Sequence, residues 1–369
     1  MSHRLPYLDR DILTINDLKT KAGTRVPVAT REWLEEGAMD LIILKDNEEA
    51  YNRYKLRPRT LRNVHDLDMS ATVFGTKVSI PFGFSPAGHH ATVHPDGEVA
   101  TSRAAAKNNI AMALSAYASY DLTDVMQQGQ GNPYAIHVCI YRNRRKTLQI
   151  LQRAEAAGFK AVIVSVDIPV LGLRLSEYRN DFKIPTHVKI PMLKDEGETG
   201  PTDPEELALD DSLAWSELIP WLRFNTNMEI WLKGITSPED VALAVGHGVD
   251  GVVISNHGGR QLDGVPASLD ALRECAPIAK GKIKIAVDGG IRRGSDIFKA
   301  LALGADFCLA GRIPLWGLAY NGEDGVDLAL KILTREFRTT MALCGCSSVS
   351  EISKEHLSVI QGEAFLSRL

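Results

Sequence analysis

From about residue 75 onward the chain alternates two kinds of segment, and that alternation narrows the possible folds sharply. Eight short apolar runs occur: Ile80–Ser85, Ile110–Ser115, Tyr134–Ile140, Ala161–Val166, Glu229–Lys233, Gly251–Ser255, Ile283–Val287 and Phe307–Gly311. They are rich in Val and Ile without alternation between apolar and polar positions, so they read as parallel strands buried on both faces. Amphipathic helix patterns lie between them, among them Asn143–Ala157, Ser237–Gly246 and Ser295–Leu303. Ser237-Pro238 is a helix start signal, and Gly158 and Gly304 are stop signals. Parallel neighbours need a crossover each, and eight strand–helix units close on themselves. The fold class is therefore α/β, a (β/α)8 barrel with an N-terminal helical extension.

A barrel of this kind accommodates the 369 residues as one domain. Residues 1–74 form the extension, with helices around Ile15–Lys21 and Arg31–Glu36, expected to cap the barrel's bottom or wrap its side. Residues 75–345 form the barrel and 346–369 a C-terminal tail. The interval 168–228 is longer than a plain connection and carries a polar stretch from Lys194 to Pro204, which reads as an active-site lid. A net charge of -4 gives no electrostatic footprint for nucleic acid or anionic membrane. No apolar run approaches the ~18 residues of a spanning helix. The opening MSHRLPYLDRDILT has no apolar core, so secretion is not expected. Five scattered cysteines suit a reducing compartment without disulfides, and Cys344-Gly-Cys346 lacks the second ligand pair of a metal site.

Barrels place their chemistry at the carboxyl ends of the strands. Here those ends carry Ser85-Pro86-Ala87-Gly88, Ser115, His137 with Cys139, Ser165 with Asp167, Lys233, Ser255 to Arg260, Asp288-Gly289-Gly290 and Gly311-Arg312. A purely structural barrel has no use for polar groups at nearly every end. The last two ends read as a phosphate site: glycines let backbone N–H groups approach, a helix N-terminus follows, and Arg292 and Arg312 supply charge. In Ser255-Asn-His-Gly-Gly-Arg-Gln-Leu-Asp263 an imidazole and a guanidinium lie three residues apart. That pairing suits proton abstraction by His257 and a two-pronged grip on a carboxylate by Arg260.

The chain resembles the FMN-dependent 2-hydroxy-acid oxidase and dehydrogenase family, which includes glycolate oxidase and lactate oxidase. Further matching segments carry the resemblance along nearly its whole length: Gly37-Ala-Met-Asp, Phe84-Ser-Pro-Ala-Gly, His94-Pro-Asp-Gly-Glu, Ser165-Val-Asp-Ile-Pro, Leu232-Lys-Gly-Ile, Asp288-Gly-Gly-Ile-Arg-Arg-Gly and Lys299-Ala-Leu-Ala-Leu-Gly-Ala. The resemblance implies FMN as cofactor, an (S)-2-hydroxy acid as substrate and a homo-oligomer, a tetramer or its multiple. It implies His257 as the catalytic base, Asp167 as the group that orients its ring, and Arg174 with Arg260 as the carboxylate clamp. Pro86, Ala87, Gly88, Ser115, His137, Ser165, Lys233 and Ser255 would contact the flavin. Asp288, Gly289, Gly290, Arg292, Gly311 and Arg312 would hold the ribityl phosphate. Oxygen is the expected electron acceptor, because no segment resembles a haem domain or membrane anchor; a non-oxygen acceptor is the alternative. Hydride and carbanion routes both remain open.

Three positions depart from the family. Cys139 stands where glycolate and lactate oxidases carry a substrate-facing tyrosine, and Trp33 replaces another; His137 stands at a position usually held by glutamine. The pocket is then expected to favour a larger or more apolar hydroxy acid than glycolate, unless Tyr141 supplies the missing hydroxyl. The terminal Ser367-Arg368-Leu369 resembles the peroxisomal tripeptide, so a peroxisomal location is expected.

Overall fold

The computed structural model of the chain describes residues 5–194, 204–361 and 365–368. Three helices open it, α1 (Ile15–Gly23), α2 (Val28–Glu35) and α3 (Ile42–Arg53), followed by strand β1 (Tyr54–Leu56). The Thr14 side chain accepts from Asp17 N while Asp17 reaches back, a capping box that fixes the start of α1. A hairpin of β2 (Ala71–Val73) and β3 (Thr76–Val78) leads into the barrel.

Eight parallel strands then close in sequence order: β4 (Phe82–Phe84), β5 (Ala111–Ser115), β6 (Tyr134–Val138), β7 (Ala161–Ser165), β8 (Glu229–Ile235), β9 (Gly251–Ile254), β10 (Lys284–Asp288) and β11 (Phe307–Ala310). β11 pairs back onto β4 through Leu309 and Gly83. Helices α4 (Gly97–Lys107), α5 (Leu122–Met126) and α6 (Arg144–Ala157) follow the first three strands in turn. The β7–β8 interval holds α7 (Leu175–Asn180) and α8 (Trp215–Asn225); α9 (Pro238–Gly246), α10 (Ser268–Ala279) and α11 (Gly294–Ala302) follow the next three strands. The last helix, α12 (Arg312–Cys344), is kinked at Asn321 and Gly322. The local signals behave as their chemistry requires: the Asn143 side chain caps α6, Gly158 closes it at φ 94°, and Ser237 caps α9 with Pro238 in its first turn. The expected strands are all present, their ends differing by one or two residues.

The N-terminal segment meets the expectation in part, with α1 lying along α12, where Lys19 sits over the Trp316 ring. The hairpin serves the barrel's bottom: Val73, Phe74 and Val78 pack with interior residues such as Trp231 and Phe307. Phe74 meets those two rings edge-on, with centroids 5.3 and 5.4 Å apart. It does so from the hairpin's two-residue turn, where Phe74 and Gly75 both have positive φ, 46° and 69°. The α2–α3 region instead lies at the catalytic face, because Ala38 N donates to Gly259 O and Asp263 accepts from Asp40, Ile42 and Ile43 N at the start of α3. In the C-terminal tail, β12 (Leu357–Gln361) pairs with β1 and with β13 (Phe365–Arg368). Residues 195–203, the heart of the expected lid stretch, and Leu369 lie outside the described residues; Ser367 and Arg368 belong to β13.

Phe74→Ala removes the plug's main contact while leaving the catalytic face untouched. Its expected cost is about 3–5 kcal/mol, seen as a lower thermal-unfolding midpoint of the holoprotein with unchanged flavin absorbance.

Candidate active site

At the carboxyl ends of the strands lies a cavity of about 570 Å³, within the range typical of cofactor sites. Its groups come from most of the strand ends, so the site exists only once the barrel closes. At one end Gly289, Gly290, Arg292, Gly311 and Arg312 line it. Gly289 and Gly290 have φ of 99° and 78°, and a Cβ at Gly290 would sit 1.8 Å from Asn47 O, so both positions require glycine. Arg312 donates to the carbonyls of Leu34, Gly258 and Glu36, which leaves two of its five N–H donors. Arg292 pairs with Glu48 at 2.7 Å and lies over the Trp316 ring, and its buried Nε has no partner.

The middle of the cavity is a buried charged cluster. Lys233 Nζ donates to Ser255 Oγ at 3.0 Å and lies 3.4 Å from Asp288 Oδ2, which also accepts from Ser85 Oγ at 2.6 Å. Asp288 Oδ1 and His137 Nδ1 are buried without partners, and His137 Nε2 meets Ser165 Oγ at 2.9 Å. Burial, with Lys233 nearby, drives His137 down to about 3, so its ring is neutral. Pro86, Ala87, Gly88 and Ser115 form the adjoining wall. A Cβ on Gly88 would lie 2.8 Å from Tyr117 Cβ, so this backbone packs tightly against the β5 end.

The far end carries His257, Asp167, Arg174 and Arg260, the residues expected to move the proton and clamp the carboxylate. His257 Nδ1 lies 3.2 and 3.1 Å from the two Asp167 oxygens, leaving Nε2 as the ring's other nitrogen in the cavity that His257 lines. Asp167 can come this close because Gly234, at φ 107°, has no side chain; a Cβ there would overlap Asp167. Burial lowers the His257 pKa below 6.5, with Lys233 acting in the same direction and Asp167 opposing. Burial alone would raise Asp167, but His257 and Lys233 outweigh it and hold the carboxyl below 3.8. Arg260 Nη1 donates to Trp33 O at 2.9 Å and lies 3.1 Å from Glu36 Oε1, while Arg174 Nη1 lies 3.5 Å from Glu177 Oε1. Trp33 stacks on Phe182, with centroids 5.3 Å apart and planes 12° apart.

Ser165 and Ser255, expected to touch the flavin, bond His137 and Lys233, two residues that line the cavity. Cys139 lines the cavity and Tyr141 does not, so the alternative in which Tyr141 supplies the hydroxyl is not realised here. Burial pushes the Cys139 thiol up to about 12, keeping it neutral. Sequence reading missed Tyr117, His89, Glu177 and Phe182, all of which line the cavity. Tyr117 lies just two residues beyond the β5 end, a signal that was available; the other three depend on how loops fold back. Among the described residues no cluster of His, Cys, Asp and Glu could hold a metal.

The unpartnered buried atoms of Arg292, Asp288 and His137, the glycine cradle and the two arginines at one end suit a phosphorylated planar cofactor. A family model described as FMN-dependent dehydrogenase matches residues 22–359, and the chain belongs to that family, with FMN as its cofactor. The chain is 49% identical over 361 residues to Oxidase FUB9 of Fusarium oxysporum f. sp. lycopersici, covering 96% of this chain and 93% of that one. Human 2-hydroxyacid oxidase 1 is 40% identical over 356 residues, covering 93% and 95%. The crystal structure of mandelate oxidase with (S)-2-phenylpropionate superposes with a TM-score of 0.87 at 32% identity, covering 96% of this chain and 100% of that one.

Proposed function

We propose that this enzyme oxidises an (S)-2-hydroxy acid to the 2-oxo acid and passes the electrons to O2, giving H2O2. The observation that carries the reading is the His257–Asp167 pair at the same end of the cavity as Arg174 and Arg260. Bound FMN supplies the two-electron acceptor. Arg174 and Arg260 hold the substrate carboxylate, which sets the hydroxyl and Cα beside the imidazole. His257 Nε2 takes a proton, from the hydroxyl in a hydride route or from Cα in a carbanion route. Asp167 fixes the tautomer through Nδ1 and stabilises the imidazolium that forms. Lys233 and His137 are the groups that would meet the flavin's pyrimidine end, and the arginine–glycine end would hold its phosphate.

Trp33, Phe182, Ile184, Leu171 and Cys139 give the substrate end a broad apolar lining, which supports a substrate bulkier than glycolate. The relatives named 2-hydroxyacid oxidase and mandelate oxidase agree with this class. Assembly into a homo-oligomer, a tetramer or its multiple, is carried over from the family resemblance. Peroxisomal delivery through Ser367-Arg368-Leu369 is proposed with it; a diffuse signal from N-terminally tagged protein, with and without these residues, would end that idea.

His257→Gln should bind FMN normally yet lose substrate-driven flavin reduction by roughly 10²–10⁴-fold in stopped-flow measurements. Near-normal reduction would remove His257 from the role of base. The wild-type reduction rate should stay level as pH falls through 6.5 and decline only at lower pH, because the folded-state pKa lies below that value and the base remains unprotonated. Rapid reoxidation in air identifies oxygen as acceptor; slow reoxidation assigns a different carrier.

A panel of 2-hydroxy acids should give higher kcat/KM for longer aliphatic or aromatic acids than for glycolate or lactate. Cys139→Tyr should shift that preference toward glycolate by filling volume and restoring a hydroxyl donor, worth about 1–3 kcal/mol against a charged partner. An unchanged order in both proteins would show that Cys139 does not set specificity.

A further inference from the structure

The two arginines assigned to the substrate carboxylate already face two carboxyl groups of the protein. Glu177 Oε1 lies 3.5 Å from Arg174 Nη1 and 3.6 Å from Arg260 Nη2, and Glu36 Oε1 lies 3.1 Å from Arg260 Nη1. One guanidinium is thus shared by two acids, Glu36 at its Nη1 and Glu177 at its Nη2. Ser176 Oγ donates to the remaining oxygen of Glu36. Neither Glu36 nor Glu177 has a part in the reaction described above. Glu36 is buried and Glu177 partly so, and two acids set on one guanidinium repel each other when both are ionised; one proton retained by the pair relieves the repulsion.

We propose that Glu36 and Glu177 form a proton-sharing carboxyl pair that sets the net charge of the Arg174–Arg260 clamp, and thereby governs how tightly a substrate carboxylate binds. The proposal rests on the reading of Arg174 and Arg260 as the clamp. With one proton shared, the four groups carry a net single positive charge, and an incoming carboxylate neutralises it. With both acids ionised, the clamp is already neutral and the incoming carboxylate gains little. Burial and the neighbouring Glu177 raise Glu36 to about 7, with Arg260 and Ser176 opposing, so the change falls near neutral pH.

The two acids face different sides. Glu177 lines the substrate cavity with Arg174 and Arg260, whereas Glu36 lines a separate groove between α1, α2 and α7. That groove carries Lys19 from α1, Arg31, Glu32 and Glu35 from α2, and Arg179 from α7. From the remaining neighbours, Arg312 donates to the Glu36 carbonyl, and His257 precedes Arg260 on the β9 loop. The Glu36 proton therefore has a route of exchange that does not cross the bound substrate. Burial moves His257 below 6.5, away from the change near neutral pH invoked here.

The test uses the FMN-loaded enzyme and oxalate, a carboxylate whose own charge is constant over the range, with binding read from the flavin absorbance. From about pH 6 to about pH 8.5 the wild-type Kd should weaken roughly tenfold, while the reduction rate at saturating hydroxy acid changes far less. In Glu36→Gln the Kd should be nearly level across that range and close to the wild-type acidic value. Glu177→Gln should show the same levelling, and it decides the matter if Glu36→Gln does not fold around FMN. His257→Gln should retain the wild-type slope. A wild-type Kd that does not vary, a slope unchanged in both glutamate variants, or a slope lost in His257→Gln would each overturn the proposal. If oxalate binding behaves as expected but no 2-hydroxy acid reduces the flavin, the proposed reaction fails and the pair stands.

Discussion

The catalytic geometry depends on a loop that the barrel alone could not hold. His257, Gly258 and Gly259 have successive φ values of 57°, 63° and 78°, and a non-glycine residue in that region is strained. The surroundings fix the strain from several directions. The Asn256 side chain accepts from Gly259 N, and its amide exchanges hydrogen bonds with Asn47 in both directions at 2.8 Å. Gly258 O accepts from Arg312 and Gly259 O from Ala38 N, while Asp263 closes the loop onto the start of α3. The N-terminal helices are therefore part of the active site's support. Gly37 shows the tightness of that joint, since a Cβ there would lie 2.8 Å from Gly259 O.

The electrostatics follow from the same enclosure. Charged groups buried in a medium of low effective dielectric interact strongly, so their protonation states are set by partners as much as by their own chemistry. His257 is kept a neutral base by burial and by Lys233, while Asp167 remains an anion because the imidazole and Lys233 outweigh its burial. His137 and Cys139, both buried beside them, are held uncharged. Asp288 anchors Lys233 and accepts from Ser85, so one carboxylate ties three strand ends together. Arg260 feels the burial too: its guanidinium is drawn down to about 10, with Arg174 contributing and Glu36 opposing. Internal carboxylates beside the clamp thus stabilise the two arginines against each other in the folded protein.

Much of this was legible in the chain. The eight non-alternating runs specify strands buried on both faces, and strand number and order specify a closed barrel, because both signals are local and repeat. Strand ends, and with them His257, Asp167, Lys233, Asp288 and the terminal arginines, could be read as one site for the same reason: the barrel makes strand ends neighbours. Ser165 and Ser255 also stand at strand ends, and the structure adds that each bonds a cavity-lining partner, His137 and Lys233. Phe74 could not be recognised as the plug from its surroundings in sequence, since its partners Trp231 and Phe307 are far along the chain.

By itself, then, the sequence determined the barrel, and it singled out the residues proposed as base and clamp and the glycines of the proposed phosphate end. Tertiary structure alone decided that α2 and α3 cover the catalytic face, that Cys139 and not Tyr141 reaches the cavity, and that Glu36 meets Arg260 across 224 positions of chain. The division has a physical cause. Periodicity and turn chemistry act over a few residues and leave marks in local sequence, whereas the approach of two distant side chains depends on how closed layers pack, which no local pattern encodes.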